Sequence, residues 1–359
     1  MKTPTDSHHE PLSRRRFLHH GVGGATLLLG LLPPRSQAAS ARDNPFSYNL
    51  DRYRKVDPQW LHFQKTSSFT FPQPEPRRIA IDREDRLYLA AGREVIILDR
   101  QGVPVGVIQC EAPVRCVAVA ADGTRYVGFK DHVEAFDAKG QRTARWEPHA
   151  GRPFLTGLAV GENDLFAADA GNRAILRYDR SGKLVARIGE RNRDRNIPGL
   201  IVPSACLDVE IGSDGLLRVN NPGRHRVETY TVNGDLELAW GRASAAIDGF
   251  CGCCNPVNLE LLPDGRCVTF EKGLPRVKVY SPAGQLESVV AGPDQFTENG
   301  NVSPVLDAEG GPAGVLDGAI DSQGRIYALD LVSRRVDILQ RRLETTPPAS
   351  MPTGKLTPN

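Results

Sequence analysis

The chain has 359 residues, with 45 Lys+Arg against 43 Asp+Glu, a formal net charge of +2, and 7 cysteines. A balance this close to neutral excludes an electrostatic nucleic-acid binder, which needs a concentrated basic surface. The patterned part, roughly 280 residues, is long enough to bury a sizeable core.

The first 41 residues are expected to be an address. Ser13-Arg14-Arg15-Arg16-Phe17-Leu18 matches the twin-arginine export motif, and a modestly apolar run fills 21–32. Pro33 and Pro34 break that run, and Ala39-Ser40-Ala41 offers small residues for cleavage. The run is too short for a stable membrane span. Such a signal would carry the chain, already folded, to the periplasm or another extracytoplasmic site. Residues 1–41 hold five basic and two acidic side chains, so forty basic face forty-one acidic in the remainder, a formal charge of −1. Residues 42–60 read as a linker, and no further transmembrane candidate follows.

From 61 to 343 one pattern recurs six times: a short apolar strand, a turn, a second strand, a loop, a third strand and another turn. Arg83-Glu84-Asp85-Arg86, Ala121-Asp122-Gly123, Glu162-Asn163-Asp164, Ser213-Asp214-Gly215, Pro263-Asp264-Gly265 and Ser322-Gln323-Gly324 mark the same point in each copy. First strands are expected at 79–81, 117–119, 157–160, 207–209, 259–261 and 318–320, each short and roughly alternating. Fourth strands follow in five copies. The sixth lacks one, and a spare strand lies before the first copy, near 62–71. The economical arrangement is an all-β six-bladed β-propeller with four antiparallel strands per blade. The N-terminal strand completes the last blade, so no sheet edge stays open. The tail 344–359, rich in Thr and Pro, is expected to be disordered.

This pattern resembles the NHL-repeat family of six-bladed propellers. The third copy carries the likeness best, from Gly157-Leu158-Ala159-Val160 through Asp169-Ala170-Gly171-Asn172-Arg173 to Tyr178-Asp179-Arg180-Ser181-Gly182. His225 falls near the family's eponymous histidine, although no copy spells Asn-His-Leu. The resemblance implies a scaffold that serves enzymes, ligand binders and interaction platforms alike.

The sharpest chemistry lies in the cysteines. Three sit in Phe250-Cys251-Gly252-Cys253-Cys254-Asn255-Pro256, the crossing from blade 4 to blade 5. Cys110 lies in the crossing between blades 1 and 2, Cys116 opens the first strand of blade 2, and Cys206 opens that of blade 4. First strands line a propeller's channel, and these crossings return on one face. Six cysteines are therefore expected at one rim, with Cys267 left to the core. Three readings stay open. Oxidation would give disulfides, such as Cys110 with Cys116 and one within the Cys251 run. Cys206, Cys251, Cys253 and Cys254 would offer four sulfurs to zinc or an iron–sulfur cluster. Cys253 and Cys254 would form a redox-active vicinal pair.

Glu271, Lys272 and Arg276, in a loop of blade 5, are expected to stand at this rim with Asn255 and to offer charge to an anion or partner. Asp169, Asn172 and Asp330 occupy comparable loops, but spacing shows no convergent carboxylates for calcium. His62, His132, His149 and His225 avoid the starts of first strands, which counts against a likeness to the zinc lyases of peptide amidation. The resulting expectation is a monomeric binding or scaffold propeller with a cysteine site for metal or redox chemistry. It would serve a protein partner in the periplasm or at the membrane surface. The alternative is an enzyme at the channel mouth: a lyase, lactonase or quinoprotein-type dehydrogenase.

Overall fold

Six four-stranded antiparallel sheets succeed one another along the chain and stand as blades around an axis. The computed structural model describes residues 51–73, 75–296, 305–306, 312–313 and 316–342. The expected signal, the start of the linker and the tail lie outside them. No helix among the described residues is long and apolar enough to cross a membrane.

First strands, innermost in each blade, are Pro76–Ile81, Cys116–Val119, Leu155–Val160, Val209–Ile211, Asn258–Leu261 and Leu316–Ile320. Blade 6 takes its outermost strand from the N-terminal side. Phe63–Thr70 pairs with Arg335–Arg341, in a register running from Phe63↔Arg341 to Thr70↔Arg335. The expected closure is thus the observed one, and it removes the open edges that invite pairing with other chains.

The repeated Asp-x-x-Gly turns have a shared cause. Asp99 Oδ1 accepts the amides of Gln101 and Val103, both at 2.9 Å, and Asp137 and Asp179 hold their turns in the same way. Glycine is required at two of these hairpins by positive φ and by close approach. Gly182 (φ 88°) lies under Trp146 of the preceding blade, and Gly284 (φ 82°) lies under Trp240. A Cβ at either position would meet the indole at 2.3 Å. Apolar clusters fill the gaps between blades, such as Leu158, Leu165 and Leu176 against Tyr126 and Trp146. Cys267, at the start of a second strand, is buried among them as expected.

One strand begins later than its sequence suggests. Blade 4 enters its sheet at Val209, because the Asn220 side chain takes over at Asp208. Its Oδ1 accepts the Asp208 amide at 2.6 Å, and its Nδ2 donates to the carbonyls of Cys206, Pro256 and Val257. Asn220 thereby ties the Cys206 crossing to the end of the Cys251–Cys254 crossing.

Candidate functional site

The crossing from blade 4 to blade 5 is shaped from its apolar anchor outward. Phe250 is fully buried against Trp240 and Tyr280. Gly252 (φ 88°) then turns the chain, which brings Cys253 and Cys254 back over the mouth. Asn255 fixes that turn. Its Nδ2 donates to the carbonyls of Cys251 and Lys272, and its Oδ1 accepts the Lys272 amide at 2.9 Å.

Beneath the crossing lies a buried ionic clamp. Glu271 contacts Arg276 and Lys278, each at 2.7 Å, and all three side chains are at most 1% exposed. Arg276 donates to the carbonyls of Ala245 and Gly249, and Lys278 donates to those of Ile247 and Gly249. Burial pulls the Lys278 ammonium down to about 8 despite the adjacent Glu271. The sequence placed Glu271 and Arg276 on an exposed rim, and that expectation is corrected. An antiparallel hairpin turns both under the crossing, where Arg276 holds backbone carbonyls and the Glu271 carboxylate accepts from Arg276 and contacts Lys278. Lys272 alone of the three reaches the mouth. Asn255 is a buried staple, not a contact surface.

Three sulfurs meet around Lys272 and Ser204. Cys253 Sγ and Cys254 Sγ are 3.4 Å apart. Ser204 Oγ donates to Cys206 Sγ at 3.7 Å and receives Lys272 Nζ at 3.3 Å. Burial pushes the Cys206 and Cys254 thiols up, and the Lys272 charge opposes that rise at both. Cys253 is exposed, whereas Cys206 and Cys254 are buried.

The remaining cysteines stand elsewhere. Cys251 faces the clamp; burial raises its thiol, and the nearby Arg276 charge opposes this. Cys110 follows an outermost strand and lies near Glu134 and Arg142, so it marks the outer end of its crossing rather than the rim. Cys116 is buried in the apolar cluster between blades 2 and 3, with Arg78 and Asp208 as charged neighbours, and burial pushes its thiol up to about 12. All seven cysteines are free, so the expected Cys110–Cys116 bridge is not formed. Among the described residues no three or more His, Cys, Asp or Glu side chains are arranged to hold a metal ion. The four-sulfur set expected for zinc or an iron–sulfur cluster is not assembled: the charged neighbours of Cys251 are Arg276 and Glu271 of the clamp, whereas Cys206 and Cys254 neighbour Lys272.

Below the mouth lies a polar knot whose residues were not singled out in the sequence. Arg78, from blade 1, contacts Asp208 of blade 4 at 2.6 Å and Asp317 of blade 6 at 3.1 Å, and donates to Asn258 of blade 5. Asp208 also accepts the Leu259 amide at 3.1 Å, and Asp317 accepts the Ile79 amide at 2.7 Å. One guanidinium thus joins four blades across the axis. Glu210 and Glu260 follow two residues after Asp208 and Asn258, on the first strands of blades 4 and 5. Burial raises both carboxyls well above the usual range, with Asp208 adding to the shift at each. Burial also pushes Asp317 up to about 7, against the opposing charge of Arg78. A charge in the middle of an innermost strand was the available signal; in so short a strand it reads as ordinary alternation. Asp169 and Asp330 instead cap their own loops, Asp169 accepting the Phe154 amide and Asp330 that of Val332, both at 2.9 Å.

Solved structures share this architecture. A streptogramin B lyase structure aligns with TM-score 0.52 at 13% identity, covering 79% of this chain and 99% of its own. A selenomethionine-substituted virginiamycin B lyase from Staphylococcus aureus gives 0.51 at 14%, covering 77% and 99%. A catalytically inactive histidine-to-alanine variant of virginiamycin B lyase from Staphylococcus aureus, with quinupristin, gives 0.53 at 14%, again covering 77% and 99%. At such identities the likeness is one of fold. No family model and no curated protein matches the chain.

Proposed function

We propose that this chain is an NHL-type propeller, exported folded by the twin-arginine route, that binds a protein partner on its mouth face and exchanges thiol for disulfide with it. The observation that carries the reading is the meeting of Cys206, Cys253 and Cys254, from two separate crossings, beside the Lys272 ammonium. Scattered structural cysteines have no reason to converge on a cation. Reactive thiols do, because the thiolate is the nucleophile and a nearby positive charge favours it.

Access assigns the roles. Exposed Cys253 attacks a disulfide of the partner as thiolate; one partner sulfur leaves and takes up a proton. Cys254, kept as a thiol by burial, then gives up its proton and attacks Cys253 Sγ. A Cys253–Cys254 disulfide forms and the second partner thiol leaves. Two electrons pass to the partner, whose disulfide ends as two thiols. Cys206 and Lys272 supply the polar floor on which this occurs.

Oxidised glutathione can stand in for the partner. Treatment of the native protein is expected to remove two thiols together and to leave the Cys253–Cys254 fragment two hydrogens lighter. Cys253→Ser is expected to abolish this. An unchanged thiol count, or a Cys253→Ser variant that loses two thiols like the wild type, would refute the reading. Stoichiometric zinc lost on substitution of Cys206 or Cys251 would replace it with metal ligation.

A further inference from the structure

A cavity of about 790 Å³ opens on the mouth face, walled by the crossings into blades 3 and 4 and by loops of blades 2 and 3. Its floor is apolar, from Phe154, Val202 and Pro203, and its rim carries Lys130, Arg152 and Arg173. The single carboxylate lining it, Asp131, is engaged by His132 Nδ1 at 2.6 Å. Arg115 lies over the Phe154 ring, 4.1 Å from its centroid, and adds a further positive charge next to the floor.

Several arginines elsewhere are paired with carboxylates, as Arg177 is with Asp164, Arg195 with Asp235 and Arg218 with Asp214, and others donate to backbone carbonyls, as Arg180 does to Gly161 and Arg224 to Pro198. Among the described residues, no carboxylate lies within ion-pair distance of the Arg152 or Arg173 side chain. The walls are nevertheless tied in place. Asn172 Oδ1 accepts the Arg152 amide at 2.9 Å, and Asn172 Nδ2 donates to the Ala150 carbonyl and to Asp169. Gly171 packs so closely on the Arg152 carbonyl that a Cβ would lie 1.8 Å from it. A fixed apolar floor beneath the Arg152 and Arg173 guanidiniums, at a volume typical of small-molecule sites, is built for one kind of occupant.

We infer that this groove binds an organic anion: a flat or branched apolar body on Phe154 and Val202, with a carboxylate, sulfonate or phosphate head between Arg152 and Arg173. Bidentate guanidinium contacts suit such heads. Ser204 lines the far end and also contacts Lys272 and Cys206, so a bound ligand would end beside the thiols. The groove is lined by no cysteine, so failure of the thiol exchange would leave this inference standing.

The probe is 8-anilinonaphthalene-1-sulfonate, an aromatic sulfonate whose fluorescence reports transfer to an apolar site. Titration of the native chain is expected to show saturable single-site binding. The Arg152→Ala/Arg173→Ala variant is expected to bind about tenfold more weakly or worse. Its melting temperature should be unchanged, since neither side chain holds a structural partner. Arg195→Ala, which removes a paired arginine from another loop, should bind like the wild type. Absence of saturable binding, equal affinity in the double variant, or an equal loss in Arg195→Ala would each overturn the inference.

Discussion

Glu271→Ala is expected to destabilise the protein by about 3–5 kcal/mol, the cost of breaking a buried ion pair and leaving its partners uncompensated. The substitution strands Arg276 and Lys278 together, both essentially without solvent. Guanidinium cannot release its proton near neutrality, so relief falls to Lys278, whose pKa is already held down at about 8. The sign follows from proton counts. A lysine whose folded pKa lies below its unfolded value binds fewer protons when folded, so stability rises with pH through that window. In the wild type the window opens at about 8 and closes near the ordinary lysine value of 10.5. Loss of Glu271 extends it downward, so the defect should be larger at pH 6 than at about pH 9. Adding Lys278→Met should restore part of the loss. Urea unfolding at several pH values reads both effects. Because the clamp holds the carbonyls of 245–249, Cys251 should also alkylate faster in the variant than in the wild type. A loss independent of pH, with Cys251 unchanged, would mean that Glu271 acts through packing alone.

Arg78→Met is the second large effect, again about 3–5 kcal/mol near neutral pH. Methionine keeps much of the volume but leaves Asp208 and Asp317 without their cation in the axis of the ring. Here the pH dependence runs the other way. Asp317, Glu210 and Glu260 have folded pKa values raised by burial, so the folded state holds protons that the unfolded state has released. Stability contributed by such groups is lost as pH rises from the unfolded carboxyl range of about 4 towards the folded value, about 7 for Asp317. Without Arg78 these shifts grow. The variant should therefore approach wild-type stability at about pH 5 and fall away most at about pH 8. Denaturant titrations of both proteins across that range test this; a constant difference would show that Arg78 does not compensate the channel carboxylates.

The two effects come from the parts of the molecule that the sequence reveals least. Repetition made the ring legible: Asp and Gly recur at the same turn in each copy because the same hairpin must be closed each time. The spare strand at 62–71 was legible because one copy lacked its fourth strand. The convergence of Cys206 with Cys253 and Cys254 followed from their places in crossings that return on one face. Cys110 did not obey the same rule, because a crossing runs radially and only its inner end reaches the channel. Glu271 and Arg276 looked exposed because a charged turn usually is. Their burial depends on carbonyls of 245–249 arriving from the neighbouring blade, which no local pattern announces. Arg78 joins partners 130 and 239 positions away, beyond any periodicity in the chain.

The geometric premise is that sulfurs from two blade crossings share one mouth beside Lys272. Treating the native, reduced protein with a short bifunctional thiol reagent such as dibromobimane, then mapping the joined peptides, addresses it directly. The Cys206 peptide is expected joined to the peptide carrying Cys253 and Cys254, and this link should vanish in Cys206→Ser. A product in which Cys206 reacts alone, or is joined to Cys110 or Cys267, would contradict the arrangement.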